Sequence, residues 1–359
     1  MMSLRLYHEH LLPPTRLAGH YLPGLLLTAA IALVAVSIGA LPAVASLGLG
    51  ALTLAILAGI VLGNSITPAW HRHCDHGVQF AKQRLLRLGI ILYGFRLTFQ
   101  QIGDVGATGV VIDVLMLAST FLLACWLGRR VFGLDRDTAM LIGAGSSICG
   151  AAAVLATAPV LRADAGKAAV AVATVVLFGT AAIFIYPALF ALNAHYHWLA
   201  FSEKSFGIFT GSTLHEVAQV VAAGHAVGPE AENAAVISKM IRVMLLAPFL
   251  LLLSAWLQRR APRARGAANA PIVFPWFALA FIAVAGLNSF HLLPPRLIAT
   301  LDTLDTWLLA MAMAALGLTT HSGALRRAGL RPLLLALVLF LWLIAGGALV
   351  NLGIHRLLG

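Results

Sequence analysis

Gly143-Ala144-Gly145-Ser146-Ser147-Ile148-Cys149-Gly150 interrupts an apolar segment that runs from about 140 to 160. Three glycines and two serines in eight residues make poor helix. Yet the flanks Met140-Leu141-Ile142 and Ala151-Ala152-Ala153-Val154-Leu155-Ala156 are as apolar as any lipid-crossing stretch. Lipid cannot satisfy free backbone N–H and C=O groups, so non-helical backbone survives at that depth only when buried in protein or lining a wet cavity. A second stretch repeats the pattern: Gly211-Ser212-Thr213-Leu214-His215-Glu216-Val217-Ala218-Gln219-Val220-Val221-Ala222. Shifted by 66 positions, the two share Gly-Ser-Ser/Thr-Ile/Leu, then Ala, Val and Ala at matching places, and Ala168-Ala169-Val170 matches Ala234-Ala235-Val236. An alanine-rich composition raises the background of such matches, so repeat and coincidence both stay open.

The rest of the chain supplies the solvent. Of 359 residues 60% are hydrophobic and only 10% charged, too few to cover a soluble surface. Apolar segments fall at about 21–41, 44–63, 86–101, 106–128, 140–160, 166–190, 205–225, 232–257, 272–290, 304–320 and 332–354. Several reach the ~20 residues that a helix needs to cross hydrocarbon. The expected fold is an all-α, polytopic transmembrane helix bundle with two broken or re-entrant helices. Residues 1–359 read as one membrane domain, with a short N-terminal segment at 1–20 and helical blocks at about 21–190 and 205–354. A signal peptide cleaved after Ala43-Val44-Ala45 fits poorly, because Tyr21 to Leu41 is long enough to span and another apolar segment follows at once.

The net charge of +11 comes from cations lying between apolar runs: His71-Arg72-His73 through Arg84, Arg129-Arg130, the arginines between Gln258 and Gly266, and Arg326, Arg327 and Arg331. With the N-terminus in the cytoplasm these loops fall there, while Leu41-Pro42, Gln101 to Val105 and Gly228 to Glu232 lie outside. No basic stripe interleaved with aromatics appears, which argues against nucleic acid. Cys74, Cys125 and Cys149 form no pair with metal or redox spacing. His71-Arg72-His73-Cys74-Asp75-His76 matches no zinc pattern and reads as an interfacial loop. Neither a P-loop nor a redox-cofactor motif is present. No cofactor and no metal are expected, and homo-oligomerisation is left open.

Candidate chemistry gathers at the two interruptions. Gly145, Ser146, Ser147, Gly150, Gly211, Ser212 and Thr213 offer hydroxyls and free N–H groups that suit an oxyanion, as do the helix N-termini after each break. The alternative is close helix packing through small residues. His215, Glu216 and Gln219 share one segment in the apolar zone, where a carboxylate is a proton carrier or half of a structural ion pair. Lys239 and Arg242 lie on one helix face, roughly 9 and 14 Å inside, too deep to reach water easily. Their depth calls for an anionic partner: Glu216, the solute, or each in turn. Asp113 and Arg96 are expected to pair with each other. Asn64, Asn288 and His291 read as caps, and Asp302 and Asp305 as residues at the entrance of a helix.

The two interrupted stretches, with Leu88-Gly89-Ile90-Ile91-Leu92-Tyr93-Gly94-Phe95-Arg96-Leu97 and Ala312-Met313-Ala314-Ala315-Leu316-Gly317-Leu318, resemble the YeiH-type bacterial inner-membrane proteins, a family commonly labelled sulfate exporters. The resemblance covers nearly the whole chain. It implies a multi-pass protein of the bacterial inner membrane and a transporter, more securely than it implies sulfate. The family also looks distantly similar to the bile acid/arsenite and cation/proton antiporter superfamily, which implies an inverted-repeat fold with crossed broken helices. A repeat shift of 66 residues does not divide this chain into equal halves.

Together these readings give a secondary transporter of a small anion, a sulfur oxyanion such as sulfate, with protons as the coupling ion. Ser146, Ser147, Ser212 and Thr213 would bind the solute, Lys239 and Arg242 balance its charge, and His215 or Glu216 carry protons, with one helix bundle moving against another. A sodium-coupled symporter of an organic solute is the alternative. An intramembrane enzyme built on His215 and Glu216 lacks any nucleophile–base constellation and is not expected.

Overall fold

The computed structural model describes residues 14–41, 51–65, 68–260, 276–290, 292–320 and 329–358. Arg5, Pro42 to Ala45, His291, the basic residues beyond 260 up to Gly266, and Arg326 and Arg327 lie outside the described residues. The described chain runs α1 (Pro14–Gly39), α2 (Ala51–Ser65), α3 (Pro68–Phe80), a π-turn at Ala81–Leu85, α4 (Leu86–Tyr93), a 3-10 turn at Gly94–Arg96 and α5 (Phe99–Arg130). It continues as α6 (Arg136–Ser147), α7 (Ala151–Leu161), α8 (Ala165–Tyr196), α9 (Glu203–Thr213), α10 (Val217–Val227), α11 (Pro229–Met244), α12 (Leu246–Arg260), α13 (Trp276–Ser289), α14 (Pro295–Leu318) and α15 (Leu330–Leu358). Among the described residues, six helical stretches are long and apolar enough to cross a membrane: His20–Gly39, Phe99–Arg130, Ala165–Tyr196, Pro229–Leu257, Pro295–Leu318 and Leu330–Leu357.

Several expectations change here. His71 to His76 lie in helix α3, not in a loop, and the helical path continues through the π-turn into α4. Pro68 at the first position suits a helix start, and Gly77 is the sole weak helix former between it and Phe80 that lacks a side chain. The break expected at Gln101 to Val105 sits earlier, at Gly94 to Thr98. There the Thr98 side chain accepts from Gln101 N at 3.4 Å, while Thr98 N donates to Gln101 Oε1 at 3.0 Å. That reciprocal capping box starts α5, which bends once at Gly106 (φ 35°). Asp302 and Asp305 stand two and three turns inside α14, because the helix starts earlier, at Pro294-Pro295.

Contacts group the chain into two compact units. One comprises Met1–Tyr93 and Leu293–His321. Inside it, Gly59 and Gly63 of α2 let its backbone approach Gly317 and Leu318 of α14 so closely that a β-carbon at Gly59 would lie 3.0 Å from the Gly317 α-carbon. This is the small-residue packing that membrane helices use where apolar burial drives nothing. Asn64 Nδ2 donates to Thr320 O at 3.0 Å and Lys82 Nζ to Thr319 Oγ1 at 3.1 Å, closing that unit's end.

The other unit comprises Gly94–Leu292 and Ser322–Gly359. Its long helices α5, α8 and α15 surround two helix–break–helix segments, α6–α7 and α9–α10. The 66-residue shift that aligns the sequences carries Ser147 onto Thr213, Ala151 onto Val217 and Leu161 onto Val227, so it also aligns the helix ends. Each segment begins and ends in one place. Asp135, the cap of α6, accepts a 2.7 Å hydrogen bond from Lys167, which follows α7. Glu203, in the first turn of α9, accepts from Glu230 N at 3.2 Å, just past α10. Both segments are therefore hairpins whose two ends lie together. Their breaks lie beside the middle of α8: Val175 packs at Gly145 and Gly150, Gly179 at Gln219, and Tyr186 donates to Thr213. An aromatic cluster of Tyr186, Phe206, Phe209 and Phe340 fills the space around the second hairpin.

Candidate functional site

At each break a helix ends and another begins, so four helix termini meet near the middle of α8. The ending helices, α6 and α9, expose carbonyls that no intrahelical N–H can reach. Helix α11 supplies what they lack. Lys239 Nζ donates to Ile148 O at 2.7 Å and to Leu214 O at 2.6 Å, one carbonyl from each break. One turn further, Arg242 donates from Nε to Ser147 O (2.7 Å), from one terminal nitrogen to Ser146 O (2.9 Å), and from the other to Ser212 O (2.5 Å) and Leu214 O (3.3 Å). Both cations are completely buried. A planar guanidinium spreads donors over several acceptors where an ammonium reaches fewer, which accounts for the division of labour. Each cation also lies at the negative end of two helix dipoles, where positive charge is favoured.

Lys239 and Arg242 thus sit where their spacing predicted, but what occupies their donors is the protein's own backbone. Sequence gives the depth of a cation and not the identity of its acceptors. The carboxylate that shares their field is Asp113, whose two oxygens accept from Ser238 Oγ at 3.4 and 3.3 Å. The expected partnership of Asp113 with Arg96 is replaced, because α5 turns residue 113 onto the face that packs against α11.

The starting helices, α7 and α10, present free N–H groups and the positive ends of their dipoles. Glu216 stands at this side. Its Oε1 accepts from Ala151 N, the first residue of α7, at 3.5 Å, and its own N–H donates to Gln219 Oε1 at 3.0 Å. The carboxylate of one hairpin therefore reaches the helix start of the other. Gly150 makes this possible: its φ of +70° is one that side chains avoid, and a β-carbon there would sit 2.5 Å from Glu216 Cγ. The ionisable groups that the crossing gathers include two basic side chains, Lys239 and Arg242, and two acidic ones, Asp113 and Glu216.

The remaining predicted residues divide by what they touch. Ser212 Oγ donates to Phe209 O at 3.0 Å and accepts from Asn351 Nδ2 at 3.2 Å, and Thr213 Oγ1 donates to Phe209 O at 2.5 Å and accepts from Tyr186 OH at 2.9 Å. Their hydroxyls are used within the protein. Ser146 serves through its carbonyl. Gly145 and Gly211 allow close packing, the first against Val154 and Val175, the second against Ala235 and Ser238 of α11. Ser147 Oγ, His215 Nδ1 and Gln219 Nε2 are buried without a hydrogen-bond partner among the described residues. These three lie in the neighbouring segments of the crossing. His215 is 2% exposed, with its ring 6.4 Å from that of Phe340.

Sequence reasoning missed Tyr186, Ser238 and Asn351. Asn351 carried a signal: it is a lone amide in the apolar run 332–354, and intramembrane polar residues seldom lack a partner. Tyr186 and Ser238 carried none that separates them from ordinary helix residues.

Two helix breaks stapled by buried cations, inside a bundle of membrane-length helices, define a polytopic helical membrane protein with a buried polar centre. The family described as "Conserved hypothetical protein 698" has a model that matches residues 23–336. The chain belongs to that family. It is 62% identical to the UPF0324 inner membrane protein YeiH of Escherichia coli strain K12 over 98% of both chains. It is 65% identical to the YeiH protein of Salmonella typhimurium, over 94% of this chain and 96% of the relative. A UPF0324 membrane protein of Yersinia pestis is likewise 65% identical over 94% of both. The two YeiH relatives are named inner membrane proteins and the Yersinia relative a membrane protein, in agreement with the membrane-length helices. No solved structure matches the chain.

Proposed function

We propose that this protein is a secondary transporter that carries a small anion, of the size and charge of a sulfur oxyanion, across the bacterial inner membrane. The observation that carries the reading is the division of labour at the crossing. Carbonyl ends are taken up by Lys239 and Arg242, while the amide ends of α7 and α10 face Glu216, a carboxylate already held at Ala151 N. A helix start that holds a carboxylate suits another oxyanion equally well. The unpartnered Ser147 Oγ, His215 Nδ1 and Gln219 Nε2 supply neutral hydrogen-bonding groups beside it. A singly charged solute anion that replaces the Glu216 carboxylate at α7 leaves the local charge unchanged if Glu216 takes up a proton, and a dianion such as sulfate adds one negative charge to that balance.

We read the two hairpins as an inverted pair. α8 is long enough to cross the membrane between them, so the hairpin before it opens on one side and the hairpin after it on the other. With the N-terminus cytoplasmic, the first enters from the cytoplasm.

In the sodium-coupled alternative the ligands would be Glu216 and Asn or Ser oxygens, of which Ser147 Oγ has no hydrogen-bond partner among the described residues, while the break carbonyls accept from Lys239 and Arg242. Flux of labelled sulfate and sulfite into proteoliposomes tests the proposal. Protein-dependent anion flux is expected, abolished by Gln219→Leu and freed from its pH dependence by Glu216→Gln. The proposal fails if neither substitution alters the flux, or if sodium alone stabilises the purified protein and drives uptake.

A further inference from the structure

A second polar site lies far from the crossing, at the end of α5. Leu122, Cys125 and Trp126 in its last turns line the apolar floor of a cleft of about 690 Å³, with Arg129, Arg130 and Arg136 around the opening. Leu122 and Trp126 are 65% and 59% exposed, on a helix of membrane-crossing length, so their outward faces meet acyl chains. A tryptophan immediately below a run of arginines marks the level where hydrocarbon gives way to headgroups.

Arg129 and Arg130 differ from Arg136 in what holds them. Among the described residues no carboxylate lies within ion-pair distance of Arg129 or Arg130. Asp135 is the acidic member of the lining, and it is committed elsewhere: it accepts from Lys167 Nζ at 2.7 Å, from Thr138 Oγ1 at 2.6 Å and from two backbone N–H groups that start α6. Arg136 touches Asp137 at 3.6 Å and spreads over the Trp256 ring at 5.8 Å, leaving its guanidinium at the rim. Gly133, whose φ of +63° turns the chain between the arginines, also lies beside Arg331: a β-carbon at Gly133 would be 3.7 Å from its terminal nitrogen. Three arginines, Arg129, Arg130 and Arg136, therefore line a cleft that also has an apolar wall, and Arg331 lies beside its Gly133.

A soluble anion matches the rim but not the floor, and a neutral lipid matches the floor but not the rim. We infer that this cleft binds the headgroup of an anionic phospholipid, with the phosphate among Arg129, Arg130 and Arg136 and an acyl chain along Leu122 and Trp126. Arginine suits phosphate because its fork donates to two oxygens at once. The site stands independently of the transport reading.

The test uses the purified full chain in detergent, supplied with dioleoyl phosphatidylglycerol, dioleoyl phosphatidylcholine or inorganic phosphate. Native mass spectrometry reads the lipid retained and thermal melting reads the stabilisation. Phosphatidylglycerol is expected to stay bound and raise the melting temperature, while phosphatidylcholine and phosphate do neither. Each basic residue facing an anionic headgroup contributes roughly fivefold, so Arg129→Gln with Arg130→Gln and Arg136→Gln should weaken retention on the order of 100-fold. Arg130→Gln alone, which leaves the fold's contacts untouched, should give roughly a fivefold loss. Equal retention of phosphatidylglycerol by the variants, equal retention of phosphatidylcholine, or full stabilisation by phosphate alone would each overturn the assignment.

Discussion

Replacing Arg242 with methionine keeps much of the side chain's volume and removes its charge and its donors. The cost is set by the carbonyls that depend on it. Ser146 O, Ser147 O and Ser212 O lose the cation they bond, whereas Leu214 O keeps Lys239. A buried acceptor left without a partner costs about 1–3 kcal/mol, so three cost about 3–9 kcal/mol. Removing one member of a buried charge assembly costs about 3–5 kcal/mol, which overlaps that range, and about 5 kcal/mol is the expected loss. At about 2 °C per kcal/mol for a chain of this size, melting in detergent should fall by roughly 10 °C. Arg242→Lys keeps the charge but not the fork, so its loss should be roughly half. Hydrogen exchange provides the local readout, with protection falling first at residues 146–150 and 212–216. If Arg242→Met melts within a degree or two of the native protein and exchange at both breaks is unchanged, Arg242 does not hold the crossing together. An effect confined to flux would then return it to the role of a solute counter-ion.

Gly179→Ala drives a β-carbon into the Gln219 amide, whose flexible end can shift, so melting should change by no more than a few degrees. The shift breaks the bond from Glu216 N to Gln219 Oε1, and anion flux should fall about tenfold, the equivalent of one such hydrogen bond; unchanged flux would detach Gln219 from the site. At the end of the first hairpin, partial burial alone would raise the Asp135 pKa, but hydrogen bonds from Lys167 and Thr138 outweigh it and hold the carboxyl at about 2. That is below its value of ~3.9 in an unfolded chain, so its contribution is complete above pH ~4 and is lost as pH falls through ~2. The melting gap between native protein and Asp135→Asn should therefore narrow across that window, and a gap constant from pH 6 to 2 would contradict the capping role.

The two breaks are legible to within a few residues, because Gly145 to Gly150 and Gly211 to Thr213 pair poor helix formers with apolar flanks. Gly145 to Ser147 and Gly211 to Thr213 themselves stay helical as the last turns of α6 and α9, and the chain breaks just after them, at 148–150 and 214–216. The shared, buried helix face of Lys239 and Arg242 is legible from their spacing of three in an apolar segment. Their acceptors are not, because carbonyls are the same in every residue and leave no mark in a sequence. The partner of Asp113 is hidden in the rotation of α5 about its own axis. The start of that helix is hidden too, because the apolar run continues smoothly past Thr98, and only the reciprocal bonds with Gln101 locate it. The helix at His71 to His76 is masked by polar side chains that resemble a loop once periodicity is judged by hydrophobicity alone.

A single ammonium, that of Lys239, accepts the ends of two separate half-helices at once, and Arg242 repeats the arrangement one turn along the same rod. Neither half-helix can withdraw without stripping a partner from the other. α11 therefore acts as the pin of a hinge: whatever tilts or slides it loosens both hairpins in one concerted event.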